Sequence, residues 1–359
     1  MGVVPEIVLN SGRGMPVLGM GTATYPEPPE QTVFEAVVHA MELGYRHFDS
    51  ASVYGSERPL GRAISFAIEK GLIGSRDELF ITTKLWCTDM HQDHVLPALR
   101  HSLEVLGLEY VDLYLIHHPI RLKGEKKMEM SSDDILPVDI PSVWEGMEEC
   151  QQQGLAKSIG VSNFTCKKIA ELLTHAKVLP AVNQVEMHPV WQQGKLREFC
   201  QEKGIHISAY SPLGAFGAFW GSNKVLEAEE IKRIAQSLGK SRAQVLTMDQ
   251  CFLLKNYWIR ALRMFQFFGT HHYIVLIRIH FLHGQVCLRW AFQQGVSFVP
   301  KSYNKERLKE NMEIFDWCLS AEDMEKLSLL PQERFNLAHP LVSPTSFYKT
   351  HADYWDGEV

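Results

Sequence analysis

The sequence predicts an α/β fold in which eight parallel strands, each followed by a helix, close into a (β/α)8 TIM barrel. Short β-rich runs alternate with runs of helically spaced apolar residues through most of the chain. Eight repeats of this unit favour a closed barrel over an open doubly wound sheet. No GxGxxG motif follows the first strand, which argues against a Rossmann domain.

The elements follow one another in the order that such a barrel requires. Residues 5–18 predict a β-hairpin with turn residues at Asn10, Gly12 and Gly14. The barrel strands are predicted at 19–23, 45–51, 79–85, 111–118, 156–162, 181–187, 205–211 and 296–302. Helices are predicted at 32–44, 56–70, 95–107, 142–154, 166–176, 195–204, 228–239, 305–315 and 321–330. Residues 119–140 predict a long loop, and residues 331–359 predict a C-terminal tail over the pocket.

The composition limits the expected partners and location. With 45% hydrophobic and 22% charged residues, the chain resembles an ordinary globular protein. Its net charge of −6 is spread without long blocks of one sign, so neither nucleic acid nor a membrane surface is an expected partner. No signal peptide or membrane-spanning stretch is recognisable. Scattered cysteines indicate free thiols in a reducing compartment. We therefore expect a cytoplasmic protein without a metal site.

Four side chains with acid–base chemistry fall at the carboxyl ends of three neighbouring strands. Asp49 ends the second strand, Tyr54 lies in the loop after it, Lys84 ends the third strand and His117 ends the fourth. In a barrel these ends share one rim, which is where this fold carries its chemistry. Taken singly, three of them have an ordinary explanation: Asp49 as a turn residue, Lys84 as a charge on the rim and His117 as a polar residue at a strand end. Their joint placement predicts a catalytic site.

This group of side chains suits the reduction of a carbonyl. Hydride delivery to a carbonyl carbon leaves negative charge on the oxygen, and Tyr54 can donate the proton that this oxygen needs. A tyrosine has an ordinary pKa of about 10, and we expect the Lys84 ammonium to lower the pKa of Tyr54. Asp49 would keep Lys84 charged and oriented. His117 would donate a hydrogen bond to the carbonyl oxygen.

The motifs around these residues resemble those of the aldo-keto reductase superfamily. The matching segments are GYRHFDSASVYGSE (44–57), ITTKLW (81–86), VDLYLIHHP (111–119), KSIGVSNF (157–164), NQVEMHP (183–189), AYSPLG (209–214) and VPKS (299–302). They stand in the family's order and spacing over nearly the whole chain. The residues in these motifs are most similar to those of the plant branch that includes chalcone (polyketide) reductases, codeinone reductases and deoxymugineic acid synthases.

The resemblance implies an activity and assigns the tetrad. It implies a monomeric, NADPH-dependent oxidoreductase that reduces an aldehyde or ketone of a small plant secondary or sugar-like metabolite to the alcohol. Asp49, Tyr54, Lys84 and His117 stand at the positions of the family's catalytic tetrad, with Tyr54 as the general acid.

The resemblance also assigns a cofactor site. Residues at the positions that hold the nicotinamide and the pyrophosphate are Gly21, Thr22, Asp49, Ser162, Asn163, Gln184, Tyr210, Ser211 and Leu213. Among them, Tyr210 stands where a ring stacks on the nicotinamide. Residues at the positions that bind the adenosine end and its 2′-phosphate are Lys301, Ser302, Arg307 and Asn311. Cations near a helix N-terminus suit a phosphate dianion, which favours NADPH over NADH. The alternative for this patch is a solvated basic helix start.

Aromatic residues near several strand ends predict a pocket for a flat or hydrophobic carbonyl compound. The predicted lining residues are Tyr25, Trp86, His118, Phe216, Phe219, Trp220 and Trp355. His118 stands where many members of the family have a tryptophan. This departure leaves the individual substrate open but not the class of reaction.

Residues 245–285 interrupt the pattern of the barrel. Joining 241–244 to 286–295 restores an amphipathic helix with Ser241 as its N-cap, as a barrel requires between its last two strands. The dipeptide Gln-Val stands at both junctions, which suits an intron read through in frame. We therefore predict one barrel domain over residues 1–359, interrupted by a translated intron. A genuine insertion loop, with or without contact to a membrane, is the alternative.

The sequence is also compatible with two other functions. The same fold serves non-catalytic NADP(H)-binding regulatory subunits, such as the potassium-channel β subunits, although an intact tetrad favours an enzyme. The chain could also be an inactive isoform whose folding the insertion impairs.

Overall fold

The structure is a computed structural model that describes residues 3–125, 130–215, 217–218, 220–238 and 284–359. Within these residues the strands are, in chain order, β1 (Glu6–Val8), β2 (Gly14–Pro16), β3 (Met20–Gly21), β4 (His47–Asp49), β5 (Phe80–Leu85), β6 (Val111–Ile116), β7 (Arg121–Leu122), β8 (Ile135–Leu136), β9 (Ala156–Ser162), β10 (Val182–Glu186), β11 (His206–Tyr210) and β12 (Ser297–Phe298). β1 and β2 form the predicted antiparallel hairpin.

The helices lie between and beyond these strands. In the described residues they are α1 (Glu30–Leu43), α2 (Glu57–Glu69), α3 (Gln92–Leu106), α4 (Ile140–Gln152), α5 (Cys166–Leu173), α6 (Gly194–Glu202), α7 (Lys224–Glu227), α8 (Glu229–Ser237), α9 (284–293), α10 (Lys305–Met312), α11 (Ala321–Ser328) and α12 (His351–Tyr354). Their ends carry the expected signals. Gly44 ends α1 with a φ of 98°, and the Thr165 side chain caps α5 by accepting a hydrogen bond from the Lys168 N–H.

The barrel is a parallel sheet in the order β3, β4, β5, β6, β9, β10, β11, β12. Its two ends meet, because the Gly19 N–H donates to Phe298 O at 2.9 Å and the Gly21 N–H donates to Pro300 O at 3.1 Å. A Cβ on Gly21 would lie 2.7 Å from Val299 O, so only glycine allows this close approach. The predicted (β/α)8 fold is confirmed.

The segment predicted as a long loop, 119–140, contains more structure than expected. β7 and β8 pair antiparallel, and a short 3₁₀ turn spans Ser132–Asp134. Residues 126–129 of this segment lie outside the described residues. The two strands were too short to show a period in the sequence. The pairing of β7 with β8 holds this segment beside the rim of the barrel, where β6 ends.

The C-terminal tail folds over the same rim. Ala338, Leu341, Tyr354 and Trp355 form an apolar cluster with rim residues that include Trp86. Polar contacts hold the end of the chain: Asp356 pairs with Lys168 and accepts a hydrogen bond from the Thr165 hydroxyl at 2.7 Å. The predicted position of the tail is confirmed, and the apolar contacts explain it because they remove aromatic surface from water.

The helix expected before the last strand is present as α9, with Val286, Leu288 and Trp290 buried against the barrel. Gln285 belongs to this helix, and its Nε2 donates to Glu310 O at 2.9 Å. The proposed N-terminal part of the helix, 241–244, and the proposed insertion as far as residue 283 lie outside the described residues. No helix in the described part of the chain is both long and apolar enough to cross a bilayer.

Candidate active site

A buried ion pair lies at the centre of the rim. Asp49, the last residue of β4, accepts a 2.6 Å hydrogen bond at Oδ1 from Lys84 Nζ on the neighbouring strand β5. Lys84 Nζ also donates to Ser50 O at 2.8 Å. Both side chains are almost completely buried. A buried charge needs such partners, since an unpaired ammonium would be very costly here.

The predicted acid, Tyr54, lies beside this pair. Its phenolic oxygen is 3.0 Å from His117 Nε2, and Lys84 Nζ lies 5.0 Å from the centroid of its ring. His117 follows β6 directly, so three adjacent strands bring the four side chains together as the sequence predicted. The Tyr54 hydroxyl and the His117 imidazole therefore lie side by side on the rim.

Burial controls the protonation of these groups. Burial first, and then the Asp49 carboxylate, raise the pKa of Tyr54 well above its usual value. Burial, with smaller effects of His118 and Lys84, lowers the pKa of His117 well below its usual value. Burial also lowers the pKa of Lys84, against the opposing influence of Asp49. The expected lowering of the pKa of Tyr54 by Lys84 is therefore wrong for this structure: Asp49 neutralises the ammonium, and burial dominates.

The hydrogen bonds of His117 indicate its tautomer. Its pKa is so low that the ring is neutral near pH 7 and carries a single proton. Nδ1 is buried and has no hydrogen-bond partner in the described part of the structure. A proton on Nδ1 would leave an orphaned N–H, so the proton belongs on Nε2, which faces Tyr54. His117 then donates to the Tyr54 oxygen, and the phenolic proton of Tyr54 stays available to a second acceptor.

Three predicted cofactor residues surround the ion pair. Gln184 on β10 donates from Nε2 to the free oxygen of Asp49 at 2.8 Å. Asn163, directly after β9, donates from Nδ2 to His117 O at 2.9 Å. Ser162 donates to Gln184 O at 2.8 Å. These amide and hydroxyl groups form a continuous polar wall beside the predicted acid, which suits a carboxamide.

Tyr210 ends β11 and reaches the same wall. Its hydroxyl donates to Asn163 Oδ1 at 2.8 Å, and its ring keeps a partly exposed face. Ser211 follows with a φ of 51°, and Asn163 has a φ of 63°. Positive φ is uncommon outside glycine and concentrates at functional sites. Leu213, in the loop after Ser211, is partly buried against the barrel core.

Gly21 and Thr22 lie at the other side of the rim, where β3 meets the end of β12. Thr22 Oγ1 donates to Asp49 O at 2.9 Å, which ties the first barrel strand to the ion pair. Tyr303 donates from its hydroxyl to Thr22 O at 2.6 Å. This bond attaches the loop after β12 to the rim. Sequence reasoning did not single out Tyr303, although it directly follows the predicted residues Lys301 and Ser302.

The predicted phosphate-binding residues gather at the start of α10. The side chains of Lys301 and Arg307 are exposed, Ser302 is buried, and Asn311 is buried on the helix. The helix begins at an Asn304 N-cap, whose Oδ1 accepts from the Arg307 N–H at 3.0 Å. Two cations and a helix N-terminus form a donor set that fits a phosphate group.

The predicted pocket residues divide into two groups. Trp86 and His118 are buried beside His117, whose ring stacks on that of His118 with centroids 5.2 Å apart. Trp355 is buried in the same tail cluster as Trp86. Tyr25 is 51% exposed, so it can contact only the outer part of a ligand. Trp220 is partly buried, and Phe216 and Phe219 lie outside the described residues.

Two tail residues at the site were missed by sequence reasoning. The hydroxyl of Tyr354 lies 3.2 Å from Nδ1 of His118, and Asn336 donates from Nδ2 to the Tyr210 hydroxyl oxygen at 3.0 Å. The burial of His118 lowers its pKa to about 4, so this ring is neutral near pH 7. No motif or periodicity marks either tail residue. Their contacts depend on the path of the tail across the rim.

Comparison with known proteins identifies the family. Residues 17–330 match the Aldo/keto reductase family. The chain is 48% identical to a 7-acetyl-epi-neemfruitin B aldo-keto reductase of Melia azedarach, over 99% of this chain and 98% of that protein. It is 49% identical to NADPH-dependent codeinone reductase 1-4 of Papaver somniferum, over 98% of each chain. It is 45% identical to deoxymugineic acid synthase 1-D of Triticum aestivum, over 97% of this chain and 98% of that one.

Solved structures agree with these sequence relatives. The aldo-keto reductase of Bombyx mori in complex with NADP superposes with a TM-score of 0.75 at 32% identity, over 93% of this chain and 95% of that chain. The resemblance that the motifs indicated is therefore confirmed for sequence and fold alike. The chain belongs to the aldo/keto reductase family.

Proposed function

We propose that this protein is an NADPH-dependent carbonyl reductase that converts an aldehyde or ketone of a small metabolite to the alcohol. One observation carries the proposal. The Tyr54 hydroxyl and His117 Nε2 lie 3.0 Å apart next to the buried Lys84–Asp49 pair, so a proton donor and a hydrogen-bond donor converge on one point. A carbonyl oxygen at that point would meet both groups.

The residues have distinct tasks in this mechanism. NADPH, when bound, supplies the hydride. Tyr54, kept protonated by its raised pKa, donates its proton to the oxygen on which charge develops. His117, neutral with its proton on Nε2, transfers its hydrogen bond from the Tyr54 oxygen to the substrate oxygen and so orients it. Lys84 stabilises the tyrosinate that is left, and Asp49 holds Lys84 in place.

Several features support NADPH as the cofactor. The Papaver relatives are named NADPH-dependent, and the Bombyx structure holds NADP. In this chain Lys301 and Arg307 stand at the start of α10, where cations suit a 2′-phosphate. The polar wall of Ser162, Asn163 and Gln184 suits the carboxamide of a nicotinamide. Tyr210, a partly exposed aromatic residue beside this wall, suits stacking on the face of the nicotinamide ring.

The side chains around the site support a proposal for the class of substrate. Trp86, Trp355 and Tyr354 are apolar or aromatic, while His118 adds a polar atom close to His117. This lining favours a flat or hydrophobic carbonyl compound that carries a further polar group near the reacting carbon. The Melia, Papaver and Triticum relatives have different compounds in their names, so the family alone does not identify the substrate. We further propose a cytoplasmic monomer without a macromolecular partner.

Purified protein incubated with NADPH and a panel of aromatic and aliphatic aldehydes and ketones tests the proposal. We expect NADPH to be consumed in step with formation of the alcohol, which is identified by mass spectrometry. A folded protein that binds NADPH but reduces none of these compounds would favour a non-catalytic NADP(H)-binding subunit. A folded protein that does not bind NADPH would refute the proposed function.

A further inference from the structure

The C-terminal tail is fixed to the barrel at its first residues by a buried carboxylate. Glu186, the last residue of β10, is 1% exposed. Its carboxylate accepts hydrogen bonds from the backbone N–H groups of Phe335 and Asn336, at 3.1 and 2.9 Å, and it lies 3.0 Å from Nε2 of His188. Backbone donors on a buried carboxylate form strong, well-directed bonds. The position of Asn336 is therefore set by a barrel strand.

From this anchored position Asn336 reaches the cofactor side of the site. Its Nδ2 donates to the Tyr210 hydroxyl oxygen at 3.0 Å, and the Tyr210 hydroxyl donates to Asn163 Oδ1 at 2.8 Å. Asn163 in turn donates from Nδ2 to His117 O at 2.9 Å. The directions of all three bonds are mutually consistent. The two amide nitrogens donate, and the Tyr210 hydroxyl donates once and accepts once.

Two hydrogen bonds on one phenolic oxygen fix the outer end of a tyrosine ring, and they favour one ring plane because hydrogen bonds of a phenol lie close to that plane. The bond to Asn163 comes from the barrel, and the bond to Asn336 comes from the tail. The position and the plane of the Tyr210 ring thus depend partly on a residue that lies 126 positions further along the chain. A pre-oriented ring loses less conformational freedom when a flat ligand stacks on it.

We propose that Asn336 is a positioning residue for the cofactor, which acts by holding the Tyr210 ring in the plane that receives the nicotinamide. This inference rests on the proposed function. The tail would then contribute to the cofactor site through Asn336, while Tyr354 and Trp355 cover the substrate side of the rim. Displacement of residues 334–336 would therefore weaken the hold on the cofactor as well as open the pocket.

A double-mutant cycle on NADPH affinity tests this inference, with binding followed by quenching of tryptophan fluorescence. Asn336→Leu removes the donor and Tyr210→Phe removes the hydroxyl. We expect Asn336→Leu to raise the Kd for NADPH by about three- to tenfold, the effect of one lost hydrogen bond. Tyr210→Phe loses the bonds to both Asn336 and Asn163, so it should raise the Kd at least as much. The double variant should be no weaker than the weaker single variant, because both changes break the same bond. Asn336→Gln, which keeps the amide donor, should recover part of the affinity.

A matched tail variant controls for a general effect on the tail. Gln332 also donates from its side-chain amide, to Leu330 O at 2.8 Å, but it does not contact Tyr210. Gln332→Leu should leave the NADPH Kd unchanged. If Asn336→Leu does not fold, Asn336→Asp replaces it, since a carboxylate has a similar shape but no N–H to donate.

The outcomes separate this inference from the proposed function. Multiplicative effects of Asn336→Leu and Tyr210→Phe, or an unchanged Kd in Asn336→Leu, would overturn the positioning role while NADPH binding by the parent protein stands. A parent protein that does not bind NADPH would overturn both.

Discussion

At the residue scale, two opposite pKa shifts prepare the tetrad for work near neutral pH. Burial raises the pKa of Tyr54, so its hydroxyl keeps the proton that the proposed mechanism requires. Burial lowers the pKa of His117, so its ring stays neutral beside the Lys84 cation. The same low-polarity surroundings thus favour the neutral form of both groups.

These shifts predict a particular pH dependence. His117 stays neutral down to well below pH 6.5, and Tyr54 stays protonated above pH 10, so neither group titrates between about pH 6 and about pH 8. We expect kcat/KM for carbonyl reduction not to fall as the pH is lowered across this interval, measured at constant ionic strength. A loss of activity with a midpoint near 6.5 would indicate an ordinary histidine and contradict the neutral His117.

The four tetrad residues could be predicted from the sequence because each stands where an apolar run ends. The carboxyl ends of parallel strands share one rim, so the spacing of Asp49, Lys84 and His117 along the chain already implied their convergence. The pKa of Tyr54 could not be predicted in the same way. Its direction depends on how completely Asp49 neutralises Lys84 and on how deeply the site is buried, which only the three-dimensional packing determines.

At the element scale, we propose that the start of α10 is the feature that distinguishes NADPH from NADH. A helix N-terminus with Arg307 in its first turn attracts a phosphate dianion. NADPH carries such a group, its 2′-phosphate, and NADH does not. This helix could be predicted from the sequence, as could most helices and strands. β7, β8 and the individual contacts of the tail could not, because short strands and long coil segments carry no periodicity.

Replacing Arg307 tests this assignment. Arg307→Ala should raise the Kd for NADPH by about tenfold or more, the effect of a lost charge-assisted hydrogen bond, and should change the Kd for NADH little. Isothermal titration with each cofactor measures both constants. Lys309→Ala, which removes a cation from the same helix but at a position not assigned to the phosphate, is the control. An equal loss of affinity for NADPH and NADH in Arg307→Ala would contradict a contact to the 2′-phosphate.

At the scale of the whole molecule, the barrel is closed by hydrogen bonds between its first and last strands. α9 packs immediately before that last strand, with Trp290 fully buried. The proposed insertion, residues 245–285, precedes and overlaps the start of α9, and Gln285 makes the contact that Gln244 would make if the segment were removed. We therefore propose that a chain without 245–285 can form the same barrel.

Removal of residues 245–285 should raise the solubility of the protein and its affinity for NADPH. The segment is rich in aromatic and aliphatic residues, whose exposure favours aggregation. We expect the deletion variant to be more soluble and to bind NADPH more tightly than the full chain, since the junction lies on the side of the barrel that carries α10. Sedimentation and fluorescence titration of the two proteins measure these properties. Equal NADPH affinity in a monodisperse full chain would argue for a genuine insertion loop.

The most direct test of the proposed mechanism is a comparison of Tyr54→Phe with the parent protein for both NADPH binding and carbonyl reduction. The substitution removes only the phenolic hydroxyl, so the Lys84–Asp49 pair and the cofactor contacts should remain. We predict an unchanged Kd for NADPH and a fall in kcat of about 10²–10⁴-fold, the usual contribution of a general acid. A Tyr54→Phe variant that binds NADPH and reduces the carbonyl at the parental rate would contradict Tyr54 as the proton donor.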